Sequence, residues 1–348
     1  MVDLGVRGKS MPEWYAALPE RDLSLSSRWA TAEFREELRT WCESVVGPVV
    51  GMEQHKLRGW ATVWRVTTSE GAWFAKQNCP GQQVEVALMD ALSRLAPDRV
   101  VPVTAARDGF LLTPDQGPVF YETAGGDLEN WVRLARDAAL LQRELVPHHE
   151  ELLATGMTEL TSQEAPDYVA ARVDQYAALG VDDPRRLEPD VADRLRAHLP
   201  VVRRWAEQVA SLGLPLTLNH NDLHENNVFD VEGRLRFFDF GDSLLTEPLG
   251  VLLIPLNILG EKLDADGDDP RLWRVADAAL EVWTDHAPAA ELRAALPAAL
   301  QLGRLGRVES WVRCQPSQND EQLTEWGPVA ATWLGTLLAD PPIRVSPG

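Results

Sequence analysis

Histidine, carboxylate and amide side chains crowd the segment Leu218-Asn219-His220-Asn221-Asp222-Leu223-His224-Glu225-Asn226-Asn227-Val228-Phe229, and Phe237-Phe238-Asp239-Phe240-Gly241-Asp242 follows it. The pattern is H-x-D-x-x-x-x-N, with an aspartate behind apolar residues twelve positions after Asn227. Phosphoryl transfer needs few covalent partners. It needs a carboxylate beside the acceptor hydroxyl and oxygen ligands that hold magnesium on the triphosphate. Asp222, Asn227 and Asp239 can supply these groups. Alone, the pattern is moderately specific and occurs by chance in unrelated chains. Lys76, in Trp73-Phe74-Ala75-Lys76, and Glu85 nine positions later come before it in the chain. Separately, such a strand lysine and helix glutamate are usually surface charges.

The elements that must position these groups are legible in outline. Arg58 to Thr68 reads as a strand, Ser69-Glu70-Gly71 as a turn and Ala72 to Gln77 as the returning strand, which carries Lys76. Val84, Leu88, Leu92 and Leu95 recur at helical spacing over Val84 to Leu95, a helix stopped by Pro97. Short strands are expected at Val100 to Val103 and Gly109 to Thr113, around the turn Arg107-Asp108-Gly109, with a lobe boundary near residue 115. The remainder reads as mainly helical. Asp127 can cap a helix carrying Trp131, Leu134, Ala138, Leu141 and Leu145, and a second helix carries Val201, Trp205, Val209 and Leu212. Leu214 to Asn219 and Leu235 to Phe238 read as strands of a hairpin, a rigid mount for the polar loop between them. Apolar helices follow from Leu244, broken by the acidic loop Asp264 to Asp269.

In this order the motifs resemble those of the aminoglycoside phosphotransferase and choline kinase-like family, a branch of the protein-kinase-like fold. The family's catalytic loop is typically H-G-D-x-x-x-x-N; here Asn221 replaces the glycine, and Phe238-Asp239-Phe240-Gly241 matches the downstream motif. Asparagine tolerates left-handed backbone better than most residues. The resemblance implies an α+β, two-lobed protein-kinase-like fold: a small antiparallel-sheet lobe over 29–115 after an extension at 1–28, and a larger, mainly helical lobe over 116–348. It implies that Asp222 takes the proton of the acceptor hydroxyl, that Asn227 and Asp239 hold Mg2+, and that His220 supports the loop as a structural histidine. It also implies that Lys76 contacts the α and β phosphates of ATP and pairs with Glu85. Gly59 stands where the phosphate-covering loop would be, although an ordinary strand-entry turn explains it as well, and Thr113 and Asp115 stand where main-chain groups receive adenine. His224 can touch substrate or stabilise the loop. Asp242 can sit behind the metal or serve a turn. The thirteen tryptophans read mainly as core, with Trp283, Trp311, Trp326 and Trp333 as candidates for an acceptor pocket.

Composition bounds the remaining choices. Of the 348 residues, 45% are apolar, enough for two lobes with a substantial core. Cys42, Cys79 and Cys314 are far apart, which suggests neither a disulfide framework nor a zinc site and fits a reducing compartment. The start of the chain has no apolar stretch of secretory length, and the run Pro248 to Leu259 is too short to span a bilayer, so a cytoplasmic protein is expected. A net charge of −20 argues against nucleic-acid or anionic-membrane partners. It suits a cationic hydroxyl acceptor such as an aminoglycoside or a choline-like amino alcohol, although a solvated acidic surface is the more ordinary explanation of the charge. Neutral acceptors (sugars, nucleosides, macrolides) and a nucleotide-binding scaffold without turnover are the alternatives.

Overall fold

The structure, a computed structural model, describes residues 13–107, 109–124 and 126–345. The first part of the extension and Asp108 of the anticipated turn lie outside these residues. Thr31 accepts from the Phe34 amide and caps helix α1 (Ala32–Val46), which buries Phe34, Leu38, Trp41 and Cys42 on one face. They pack against an antiparallel sheet of β1 (Gly51–Leu57), β2 (Ala61–Thr67), β3 (Ala72–Asn78), β4 (Ala105–Arg107) and β5 (Phe110–Pro114), in the order β1-β2-β3-β5-β4. Between β3 and β4 in the chain runs α2 (Val84–Leu95), whose Leu88, Met89 and Leu92 join the core of the helical part.

That part contains α3 (Phe120–Ala124), α4 (Leu128–Leu145), α5 (His149–Ala154), α6 (Ala165–Ala177) and α7 (Pro189–Ala210). The short strands β6 (Thr217–Asn219), β7 (Val228–Val231), β8 (Arg234–Phe237) and β9 (Leu244–Thr246) come next. Helices α8 (Leu253–Leu263), α9 (Pro270–Leu280), α10 (Ala289–Cys314), α11 (Asp320–Trp326) and α12 (Val329–Thr336) complete the chain. Helix α10 runs through the middle and is buried on nearly every side from Leu292 to Cys314. Cys42, Cys79 and Cys314 are buried free thiols. Among the described residues no helix is long and apolar enough to cross a membrane.

Three expectations about the elements change. The first strand of the sheet is β1, and residues 58–60 form the turn into β2, so the expected strand from Arg58 begins three residues early. Val100 to Val103 is not a strand of this sheet: the Val101 amide bonds to Phe237 in the helical part, and Pro102 has no amide hydrogen to continue a ladder. Third, β6 and β8 are not partners. β6 pairs with β9 and β7 with β8, so the polar loop leaves one small sheet and enters another.

Candidate active site

Lys76 extends from β3 to two carboxylates: its Nζ lies 2.6 Å from Glu85 Oε2 and 2.5 Å from Asp239 Oδ1. Glu85, on the first turn of α2, is buried and accepts from Asn78 Nδ2 at 2.5 Å and from the Phe240 amide at 3.0 Å. One carboxylate therefore ties the sheet, the helix and the segment after β8 together. Burial works against the Lys76 charge, but Asp239 and Glu85 outweigh it and hold the ammonium above its ordinary range. Asp239 sits in left-handed backbone at φ 64°, which turns its carboxylate out of the strand direction. Burial would raise its pKa, but Lys76 and then Lys56 pull it below the usual carboxylate range.

The loop after β6 is held by its own polar groups. His220 is buried; its Nε2 donates to the Phe238 carbonyl at 2.9 Å and its Nδ1 accepts from the Asp222 amide at 3.4 Å. Both ring nitrogens are thus engaged in a neutral tautomer, and burial holds its pKa below the ordinary value. Asn221 takes the left-handed conformation at φ 60° and donates to the Asp242 carbonyl at 2.8 Å. Asn227 Nδ2 donates to the Asp222 carbonyl at 2.8 Å, which leaves Oδ1 as the group it can offer a cation. His224 Nδ1 accepts from the Asn226 amide, while its Nε2 lies 3.7 Å from Asp222 Oδ2.

Asp222 Oδ1 lies 3.0 Å from Arg307 Nη1, which also contacts Asp242 Oδ2 at 2.8 Å. Against the effect of burial, Arg307 and then His224 hold Asp222 well below the usual carboxylate range. Asp242 is pushed up by burial in spite of Arg307 and also accepts from Gln82 of the opposite lobe. Arg307 carries no local sequence signal: 86 positions separate it from Asn221, whose carbonyl it also contacts.

These groups line one cleft of about 590 Å³ whose walls include Lys76, Glu85, Thr113, Asp222, His224, Asn227, Asp239, Asp242, Arg307 and Trp311. Asp115 and Gly59 are not in that wall. The Asp115 amide donates to the Ala72 carbonyl at 2.9 Å and its carboxylate binds Arg65, so it has no amide hydrogen for an adenine. Gly59 lies in the turn into β2, the strand-entry turn that was its other reading, and faces the Gln322 side chain of the helical part. The acidic loop from Asp264 to Asp269 joins α8 to α9, where Asp269 caps α9, and it is also outside the cleft wall. Of the four candidate tryptophans, Trp311 lines the cleft, Trp326 stacks on it at 5.6 Å, Trp333 lies under Arg307 at 5.9 Å and Trp283 is core.

Among the described residues no cluster of three or more His, Cys, Asp or Glu could hold a metal unaided. Asn227 and Asp239 offer two oxygen donors, a set that fits magnesium held mainly by phosphate and water.

Residues 57–292 match the profile of a family described as the phosphotransferase enzyme family, APH. No curated protein matches the chain by sequence. Among solved structures, the ethanolamine kinase of Plasmodium vivax superposes with a TM-score of 0.59 at 13% identity over 84% of this chain and 85% of its own. A mutant aminoglycoside 2'-phosphotransferase in complex with GDP gives 0.57 at 14% identity, over 85% and 95%. The choline kinase of Cryptosporidium parvum gives 0.57 at 10% identity, over 86% and 94%. At such identities the likeness is one of fold, and the fold is the two-lobed kinase-like one.

Proposed function

The chain belongs to the phosphotransferase enzyme family; from that premise we propose that it is a small-molecule kinase that moves the γ-phosphate of ATP to a hydroxyl group, with Asp222 as the base. The observation that carries this reading is the meeting of Lys76 from the sheet with Asp239, Asn227 and Asp222 from the helical part in one cleft. Asp222 Oδ2 takes the hydroxyl proton as the acceptor oxygen bonds to phosphorus; the bond from phosphorus to the β,γ-bridging oxygen breaks, and ADP leaves. Lys76 holds the α and β phosphates, and Glu85 keeps its ammonium in place. Asn227 Oδ1 and Asp239 would hold magnesium, which would supply neutralisation of phosphate charge. His220 keeps the loop in shape and moves no proton.

Asp222→Asn is the direct test. The variant is expected to bind MgATP within about two-fold of wild type and to lose ADP release about 10²- to 10⁴-fold against a panel of aminoglycosides, amino alcohols and sugars. Equal turnover in both proteins would remove Asp222 from the mechanism.

The acceptor we favour is a cationic amino alcohol. Its support is the net charge of −20 and the names of the fold relatives, an ethanolamine kinase, a choline kinase and an aminoglycoside phosphotransferase. Because the Asp264 to Asp269 loop is outside the cleft, the attraction comes from the overall field. An acceptor KM that rises with ionic strength supports it, and a KM indifferent to salt points to a neutral acceptor.

A further inference from the structure

We propose that Arg307 is a positioning residue that fixes which oxygen of Asp222 faces the acceptor. The proposal rests on Asp222 being the base. Arg307 Nη1 donates to Asp242 Oδ2 at 2.8 Å and to the Asn221 carbonyl at 3.1 Å, and it forms an ion pair with Asp222 Oδ1 at 3.0 Å. The guanidinium is buried over the Trp333 ring and cannot wander as a surface arginine does. With Oδ1 held, Oδ2 is left beside His224 Nε2 at 3.7 Å and Asn227 Nδ2 at 3.5 Å. Both contacts are longer than the 3.0 Å ion pair to Arg307, and the Asn227 amide that donates to Oδ2 carries no charge. Oδ2 is therefore the oxygen left to receive a proton.

The mount behind Arg307 is rigid. Gly306, its neighbour on α10, has no room for a Cβ because the Asn221 amide lies against it, so the helix backbone docks directly on the loop. Asp242 accepts from the same Nη1 and is itself held by Gln82. Removing Arg307 leaves two neighbouring carboxylates without a shared cation and frees Asp222 to rotate. A displacement of about 1 Å at a reacting group can cost about 10²-fold in rate.

The experiment uses the full chain with MgATP alone, water serving as phosphate acceptor. Arg307→Met is expected to lower ADP release about 10²-fold while the MgATP Kd, by calorimetry, stays within about two-fold. Arg307→Lys and added guanidinium ion should each restore part of the loss, a readout that a merely structural defect would not give. Unchanged or faster hydrolysis in Arg307→Met would overturn the proposal, the second by showing a guard that blocks the base. A tenfold weaker Kd would also overturn it, because Arg307 would then be a phosphate ligand. Should Arg307→Met not fold, Arg307→Lys and a wild-type crystal structure with magnesium and a non-hydrolysable ATP analogue decide: the guanidinium stays on Asp222, or it has moved to the phosphates. If wild type and Asp222→Asn hydrolyse ATP equally, the base assignment fails first, and that outcome is separate from any effect of Arg307.

Discussion

Lys76 bonds two carboxylates that come from different elements, and Glu85 is almost wholly buried. Removing the cation leaves acids uncompensated in a poor solvent, the costly way to break a buried pair. Lys76→Met should lower unfolding stability by about 3 kcal/mol, the low end of the range because Asp239 is one-third exposed. Adding Glu85→Gln should recover part of that stability but none of the activity, as denaturant titration and ADP release would show together. His220 gives a pH prediction. Burial holds its folded pKa below the ordinary 6.5, so as pH falls through that value the unfolded chain takes up a proton that the native loop refuses. Its contribution to stability is full above about pH 6.5 and shrinks on acidification. Melting temperatures at pH 7.5 and 5.5 should fall less in His220→Gln than in wild type, and equal falls would place the acid sensitivity elsewhere.

At the scale of elements, α10 matters most and was least legible. Gly303 lies against Gly250, Gly306 against Asn221, and Arg307, Ser310 and Trp311 all face the cleft. Burial on nearly every side erases the single apolar stripe that marks a surface helix, so nothing in its spacing singles out the polar residues that reach the cleft. Gly306→Ala would push a methyl group into the Asn221 amide, and α10 or the loop must yield. We expect a melting temperature lower by several degrees and a kcat reduced more than the KM for ATP; an unchanged kcat would show that the loop absorbs the shift. By contrast, α2 was legible to its boundaries because its stripe is clean. Lys76, Glu85, Asp222, Asn227 and Asp239 could be read because their order along the chain matches the chemistry. The pairings of β6 with β9 and Val101 with Phe237 join distant segments, and no turn residue announces them. Gly59 sits in the strand-entry turn that was one of its two readings, and the glutamine it faces is more than 250 positions away, beyond the reach of local sequence.

On the scale of the whole molecule, the lobes are tied together on the Trp311 side of the cleft as well as through Lys76. Trp60, from the turn between β1 and β2, packs edge-on against Trp311 at 5.3 Å and Trp326 at 5.6 Å, and those two stack on each other. Residues 13–28 lie along the helical part, where Tyr15 meets Tyr168 and Ser26 bonds to the Ser317 carbonyl, before Trp29 enters the core of the small lobe and bonds Gln77. Each aromatic pair is worth about 0.5–1.5 kcal/mol beyond its buried area, so the two Trp60 contacts together hold the turn against the helical part by about 1–3 kcal/mol. That corresponds to a factor of about 5 to 150 in an open-to-closed ratio. A product that must pass this turn leaves only when it opens. Trp60→Ala, with the Lys76 pairs intact, should therefore speed release of a fluorescent ADP analogue in stopped flow by at least about five-fold. A release rate equal to wild type would mean that the tryptophans pack without governing the cleft.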